Sequence, residues 1–357
     1  LLTPTQLRHI RDVLRVKFPH DYDLAMELER LGWLSSYQVS QIGLGKAGAL
    51  SVGPYQILDL LGEGGFGQVF LARHSYLQRL VALKLLRPEL ASDPEAVEQF
   101  YREVGSLGQL SHPNLILAHE AGPIADTHFL AMEYLVGVNL QTMVDDSGPL
   151  EADQACDYIR QAALGLQHMY DSGLVHRDIK PSNLMVKPTD DPAETTRGAR
   201  GMWMAAAAGQ SFPWGMIKIL DLGLARSLQT GGDLLADNPN QSRESGLRGS
   251  ADYLAPEQAI DFQSADIRAD IYSLGCTFYF LVTGRPPFEG PLALKLMKHQ
   301  REEPAAVEQL RSGLPRKLGA VIRKMMAKIP SDRFRTPAEA AAAVAGTTRQ
   351  NWLSLGG

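Results

Sequence analysis

Cysteine is nearly absent from the 357-residue chain: Cys156 and Cys276 stand far apart, each in an apolar, helix-like stretch. Two distant thiols make no disulfide framework, and no ligand-spaced Cys/His cluster argues for zinc. The expected state of both is a buried free thiol, which suits a reducing compartment. Long apolar runs are missing too. The longest, around Leu274–Val282, is interrupted by Cys276, Thr277 and Tyr279 and falls short of the roughly 18–20 residues of a membrane span. No charged-then-apolar leader opens the chain, so no membrane element is expected within this segment. A chain that starts on Leu1 instead of Met reads as a fragment, and an anchor or sensor module elsewhere stays open. Positive charge is not in excess either. A formal net charge of −5 gives nucleic-acid binding no support. What is present is an ordinary globular composition, 45% hydrophobic and 21% charged, able to bury a core without staples.

The first fifty residues read as helical. Thr3-Pro4 looks like a helix start, with Leu7, Ile10 and Leu14 on one face. Asp23 is a candidate cap for a second helix carrying Leu24, Leu28 and Leu31, with Gly32 ending it. A third helix is expected from Ser35 or Ser36, and Gly43 to Gly53 reads as a linker. From Tyr55 the pattern turns strand-like. Ser92 and Pro94 then open a helix with Val97, Phe100, Val104 and Leu107 on one face. Beyond about residue 150 helical periodicity dominates. The segment 188–215, with Trp203 and Trp214, reads as a loop insertion.

Gly62, Gly64 and Gly67 form G-x-G-x-x-G, with Gly65 between them. Alone the spacing is weak, because dinucleotide folds use it at a strand-to-helix turn. Here Gln68-Val69-Phe70-Leu71 follows, a strand, so a hairpin poor in side chains can lie over a triphosphate and donate N–H groups. Lys84, in Val81-Ala82-Leu83-Lys84, is a cation suited to phosphates, and Glu103 on the next helix is the acid that would orient it. The alternative for these two is an exposed ion pair of little consequence.

With the run His176-Arg177-Asp178-Ile179-Lys180-Pro181-Ser182-Asn183, the chain resembles protein kinases over about residues 53 to 345. It is most similar to bacterial serine/threonine kinases of eukaryotic type. The resemblance implies an α+β, bilobal protein kinase fold, with a β-rich N-lobe and a helical C-lobe, behind a small helical N-terminal extension. The implied divisions are 1–52 for the extension and linker, 53–345 for the catalytic domain with a hinge near 133–137, and 346–357 for a tail. It further implies that Asp178 aligns the substrate hydroxyl, that Lys180 and Lys84 stabilise phosphate charge, and that Asn183 and Asp221 hold Mg²⁺ or Mn²⁺. Asp221 lies in Ile219-Leu220-Asp221-Leu222-Gly223, where Leu222 replaces the family's usual Phe. The implied ATP-contacting set is Leu61, Gly62, Gly64, Gly65, Gly67, Val69, Ala82, Lys84, Glu103, Glu133, Leu135 and Met185, with Met132 as gatekeeper. Asn139 stands where many relatives carry an acid near the ribose.

Ala255-Pro256-Glu257 resembles the close of an activation segment, and Ser250 resembles a residue that approaches Asp178 and Lys180. Thr230, Ser242 and Ser245 are candidate phosphorylation sites, with Arg177 the cation to receive one. Asp270 and Arg333 resemble structural anchors, Arg333 partnering Glu257. The implied activity is ATP-dependent transfer to serine or threonine of protein substrates in the cytoplasm, with a second copy as a partner in autophosphorylation and no nucleic acid. The rival reading is a pseudokinase scaffold, yet the residues such proteins usually lose are present as Lys84, Asp178 and Asp221.

Overall fold

The computed structural model describes residues 1–64, 67–188, 215–220, 226–227, 251–261 and 265–347. Gly65, the interior of the 188–215 insertion with Trp203 and Trp214, Asp221, Leu222, Gly223, Thr230, Ser242, Ser245, Ser250 and the tail from residue 348 lie outside the described residues. The chain divides into two compact units, Leu1–Val104 with Ala118–Leu135, and Gly105–Leu117 with Val136–Gly357.

The first unit opens with α1 (Pro4–His9), started by a Thr3 cap that bonds reciprocally with Gln6. A π-helical turn, Ile10–Leu14, follows, and then α2 (Arg15–Lys17). That turn departs from the 3.6 period, so Leu14 is buried while Leu7 stays exposed. Next, α3 (Asp21–Arg30) starts two residues before Asp23, with His20 at the N-cap position but giving no side-chain cap bond. Asp23 sits in its first turn, where a carboxylate favours the helix dipole. Gly32 ends it at φ 67°, a left-handed turn suited to glycine. Finally α4 (Ser36–Gly43) takes Ser35 as its cap, completed by Gln38. Leu14, Leu24, Leu28 and Leu34 form the small core these helices share.

The expected linker is structured. Ala47–Leu50 makes a 3₁₀ turn and β1 (Ser51–Val52) joins the sheet, because Leu50 is drawn into the core with Tyr55, Ile57 and Phe70. The sheet continues with β2 (Tyr55–Glu63), β3 (Gly67–His74), β4 (Leu80–Leu86), β5 (Ala118–Ile124) and β6 (Thr127–Glu133). All six strands pair antiparallel in the order β1-β2-β3-β4-β6-β5.

The N-terminal helices are fastened to β2 at a bulge. Leu58 is an extra residue in the β2–β3 register and its carbonyl accepts the Ser35 hydroxyl. Gln38, itself buried, donates Nε2 to the Ile57 carbonyl at 2.7 Å. Gln38→Ala leaves that buried carbonyl without its donor and is expected to cost about 1–3 kcal/mol, read as a lowered denaturant midpoint. An unchanged midpoint would contradict the docking role.

Between β4 and β5 the chain forms α5 (Pro88–Ala91) and α6 (Pro94–Gly108). Ser92 closes α5 instead of opening the next helix. Asp93 caps the start of α6 by accepting the Glu95 N–H at 3.0 Å.

The second unit is mostly helical: α7 (Leu140–Ser147), α8 (Ala152–Asp171), α9 (Ile267–Thr283), α10 (Leu292–Arg301), α11 (Val307–Leu310), α12 (Arg316–Met325) and α13 (Pro337–Ala345). Helix α9 is buried from Ala269 to Val282, as a helix apolar on all sides must be. Among the described residues no helix is long and apolar enough to cross a membrane. Short strands β7 (Val138–Asn139), β9 (Leu184–Lys187) and β10 (Met216–Ile219) make one small sheet. Another pairs β8 (Leu174–Val175) with β11 (Arg226–Ser227). Both cysteines are free and buried, and burial pushes the Cys156 thiol up to about 11, which leaves it inert.

His299 on α10 is fully buried, with Nδ1 2.9 Å from the Tyr272 hydroxyl and its ring edge-on to Phe288 at 4.8 Å. Burial, aided by the Lys328 cation, pushes the imidazole down from 6.5 to about 3. The unfolded chain therefore takes up this proton first as pH falls. The associated stability is complete above pH ~6.5 and is lost progressively toward pH 3. Between pH 6.5 and 5 the loss should reach about 2 kcal/mol. Urea titrations at stepped pH should show that slope in the wild type and a flatter one in His299→Gln; equal slopes would refute it.

Candidate active site

In the first unit, register sorts the predicted residues onto one sheet face. On β4, Val81 and Leu83 point into the core while Ala82 and Lys84 alternate to the opposite face. Directly across from them, Val69 pairs with Lys84, Leu71 with Ala82, and Met132 with Ala82. Val69, Ala82, Lys84 and Met132 thus share one surface. Lys84 Nζ lies 3.5 Å from Glu103 Oε2, with side chains only 17% and 9% exposed, so this is a shielded pair and not a solvated one. Phe100 and Leu107 bury the apolar stripe of α6, and Tyr101 hydrogen-bonds His128 Nδ1 on β6 at 2.8 Å. Together these contacts fix the helix that carries Glu103.

The three glycines differ in what they require. A Cβ on Gly67 would come within 2.1 Å of the Leu85 carbonyl oxygen, so sheet packing alone demands glycine there. A Cβ on Gly62 would meet nothing within 4 Å, and one on Gly64 would only graze the Gly67 carbonyl oxygen at 4.0 Å. Neither has a left-handed backbone. The packing of the described residues therefore does not demand glycine at those two positions. Beside them Leu61, the extra residue of a second β2 bulge, is an apolar side chain left 46% exposed.

In the second unit the loop after β8 carries the residues expected to be catalytic. Asp270, on buried α9, accepts the N–H groups of His176 and Arg177, each at 2.7 Å. Complete burial pushes its carboxyl up, opposed by nearby His176, the two N–H bonds and the Arg177 charge. Arg177 sits at φ 67°, a left-handed conformation that costs a non-glycine residue roughly 1–2 kcal/mol. Its Nη2 donates to the Ala265 carbonyl at 3.2 Å. Beyond it, Asp178 Oδ2 accepts from Lys180 Nζ at 2.7 Å and from Asn183 Nδ2 at 3.0 Å. Asn183 Nδ2 also reaches the Asp178 carbonyl at 2.8 Å. Two acceptors fix which end of the amide faces Asp178, so Oδ1 points away as the oxygen donor, the atom type a hard cation takes. On the adjoining strand pair, Ile219 pairs with Leu184 and the Leu220 N–H bonds the Asn183 carbonyl at 2.8 Å. Among the described residues no cluster of three His, Cys, Asp or Glu could hold a metal; the second expected ligand, Asp221, is outside them.

Asp178, Lys180 and Asn183 are thus brought together, as are Lys84 with Glu103. Glu257 and Arg333 form a two-pronged pair at 2.5 and 2.7 Å. Met185 lies on β9 in the second unit, opposite Lys218 and Asn139. Glu133 ends β6, and Leu135 is buried just beyond it. The Asn139 side-chain oxygen caps α7, accepting the Thr142 N–H at 2.9 Å. Gln38 carried no motif signal; only its place three residues after the Ser35 cap could have pointed to it.

The model of the protein kinase domain family matches residues 55–344. The serine/threonine-protein kinase PknB of Mycobacterium leprae is 34% identical over 291 residues, covering 80% of this chain and 41% of that protein. A probable serine/threonine-protein kinase of Corynebacterium efficiens, CE0033, is 34% identical over 298 residues, covering 81% and 40%. The chain therefore spans about two-fifths of the length of these curated relatives. Among solved structures, the PknI kinase domain of Mycobacterium tuberculosis superposes with a TM-score of 0.57 at 25% identity, covering 84% of this chain and 98% of that one.

Proposed function

Because the chain belongs to the protein kinase family, we propose that it transfers the γ-phosphoryl group of ATP to serine or threonine hydroxyls of proteins. The observation that carries this reading is the Asp178 carboxylate, held in place by Lys180 at 2.7 Å and Asn183 at 3.0 Å. Held by these donors, the carboxylate is set to align an incoming hydroxyl and accept its proton. Lys180 stabilises charge on the moving phosphoryl oxygens. Gly62 and Gly64 keep side chains off the triphosphate, together with Gly65 and Gly67 of the same motif. Lys84, oriented by Glu103, holds the inner phosphates. Leu61, Val69, Ala82 and Met185 contact the base, with main-chain groups of Glu133 and Leu135. Asn183, through Oδ1, and Asp221 would hold Mg²⁺ or Mn²⁺, which supplies neutralisation of phosphate charge.

We place the reaction in the cytoplasm, which two buried free thiols suit. A second copy of the chain is the expected first substrate, at a residue between 221 and 250. The serine/threonine preference rests on Lys180 and on the 34% identity to kinases of that specificity.

The test is label transfer from γ-labelled ATP to a generic serine- and threonine-rich protein, with Mg²⁺ and with chelator. Transfer should require the cation, and Lys84→Met should lower its rate about 10²–10³-fold by removing one phosphate donor. Wild-type rates in Lys84→Met would overturn the assignment.

A further inference from the structure

The left-handed turn at Arg177 must be held from somewhere, and Asp270 grips only its N–H side. The other side is taken by a residue with no assigned role. Gln258, just past Ala255-Pro256-Glu257, is 4% exposed, and its Nε2 donates to the Arg177 carbonyl at 3.0 Å. Its Oε1 accepts the Ala255 N–H at 3.1 Å. The Arg177 carbonyl belongs to the peptide unit whose N–H is that of Asp178, and that N–H bonds His176 Nδ1 at 3.2 Å. Both ends of the peptide leading into Asp178 are therefore tied, one to the preceding imidazole and one to Gln258. A peptide plane fixed at both ends cannot flip, and the direction in which Asp178 projects follows from it.

We propose that Gln258 is a positioning residue for Asp178: its amide couples the end of the segment closed by Glu257 to the orientation of the Asp178 carboxylate. The inference rests on the proposed kinase reading, since that reading gives Asp178 its task. Chemistry favours glutamine at this position. The site offers one carbonyl oxygen that needs a donor and one N–H that needs an acceptor, and a primary amide supplies both. An apolar residue supplies neither. A carboxylate keeps the acceptor but sets negative charge against the Arg177 carbonyl. Turnover should then depend on Gln258 while ATP affinity does not.

Three proteins decide it: wild type, Gln258→Leu and Gln258→Glu, compared for kcat and KM for ATP across mildly acidic to mildly basic pH. Gln258→Leu is expected to lose about 10- to 100-fold in kcat, the scale of a small misplacement of a reacting group, with KM for ATP within about twofold. Gln258→Glu should match it at basic pH and recover toward wild type as pH falls, because the protonated carboxyl donates to the Arg177 carbonyl as the amide does. His176, Arg177, Asp178, Lys180, Asp270, Glu257 and Arg333, the ionisable groups of this cluster among the described residues, are common to all three proteins, so the ratio of variant to wild type isolates the introduced carboxyl. A flat ratio, kcat near wild type in Gln258→Leu, or a change confined to KM would overturn the proposal. Should wild type transfer no phosphate, the kinase reading fails separately. Amide hydrogen exchange across 176–178 then decides the positioning claim, faster exchange in Gln258→Leu supporting it and equal exchange overturning it.

Discussion

Asp178→Asn should lower the rate of phosphoryl transfer about 10²–10⁴-fold, the usual contribution of a positioned base, while leaving the fold and nucleotide affinity intact. An amide of the same shape still reaches the second unit's other donors, but it carries no charge for Lys180 to pair with and no basic oxygen for a hydroxyl proton. The loss corresponds to roughly 3–5 kcal/mol of transition-state stabilisation and should fall on kcat. Steady-state kinetics with a nucleotide-binding assay on the same protein separate the two. A variant that keeps its turnover would remove Asp178 from the chemistry.

The second large effect concerns stability. Arg333 has a side chain with no solvent exposure, and every one of its donors is engaged. Nη1 reaches Glu257 at 2.5 Å and the Arg268 carbonyl at 2.8 Å. Nη2 reaches Glu257 at 2.7 Å and the Lys328 carbonyl at 3.1 Å. Nε takes the Ala327 carbonyl at 2.7 Å, and the guanidinium lies 4.8 Å from the Tyr272 ring centroid. A guanidinium has five N–H donors and this site uses all of them. Arg333→Ala strands the Glu257 carboxylate and three carbonyls together, at a cost of about 3–5 kcal/mol. Arg333→Lys should recover little, since three donors on one nitrogen cannot serve five directions. Denaturant unfolding of both variants checks this. A midpoint near wild type in Arg333→Lys would show that charge, and not the planar fork, is what the site needs.

How far the sequence could be read depended on the range of the physics involved. Lys84, Glu103, Asp178, Lys180, Asn183, Glu257, Asp270 and Arg333 stood out because their chemistry repeats as short motifs, and their pairings follow once the strands and helices are in register. Local caps were also readable: Thr3 with Gln6, and Gly32 at its left-handed turn, are decided within a few residues. What escaped was set by tertiary context. Its glycines made the 43–53 stretch look like a linker, whereas Leu50 within it is claimed by the sheet core. Asn139 stands where many relatives carry an acid, and its work as the cap of α7 shows only once that helix is placed. Gln38 and Gln258 are buried amides whose partners, the Ile57 and Arg177 carbonyls, are 19 and 81 residues away. No local pattern announces such bonds, because any polar residue there looks solvated until the backbone it serves is placed beside it.

Site-resolved mass spectrometry of the wild type and of Asp178→Asn, each incubated with ATP and Mg²⁺ beside a protein substrate, bears most directly on the assignment. Phosphate should appear on serine and threonine, on the substrate and between residues 221 and 250 of the chain, in the wild type alone. Nucleotide bound but no phosphate transferred, or phosphate confined to tyrosine, would contradict a serine/threonine kinase built around Asp178.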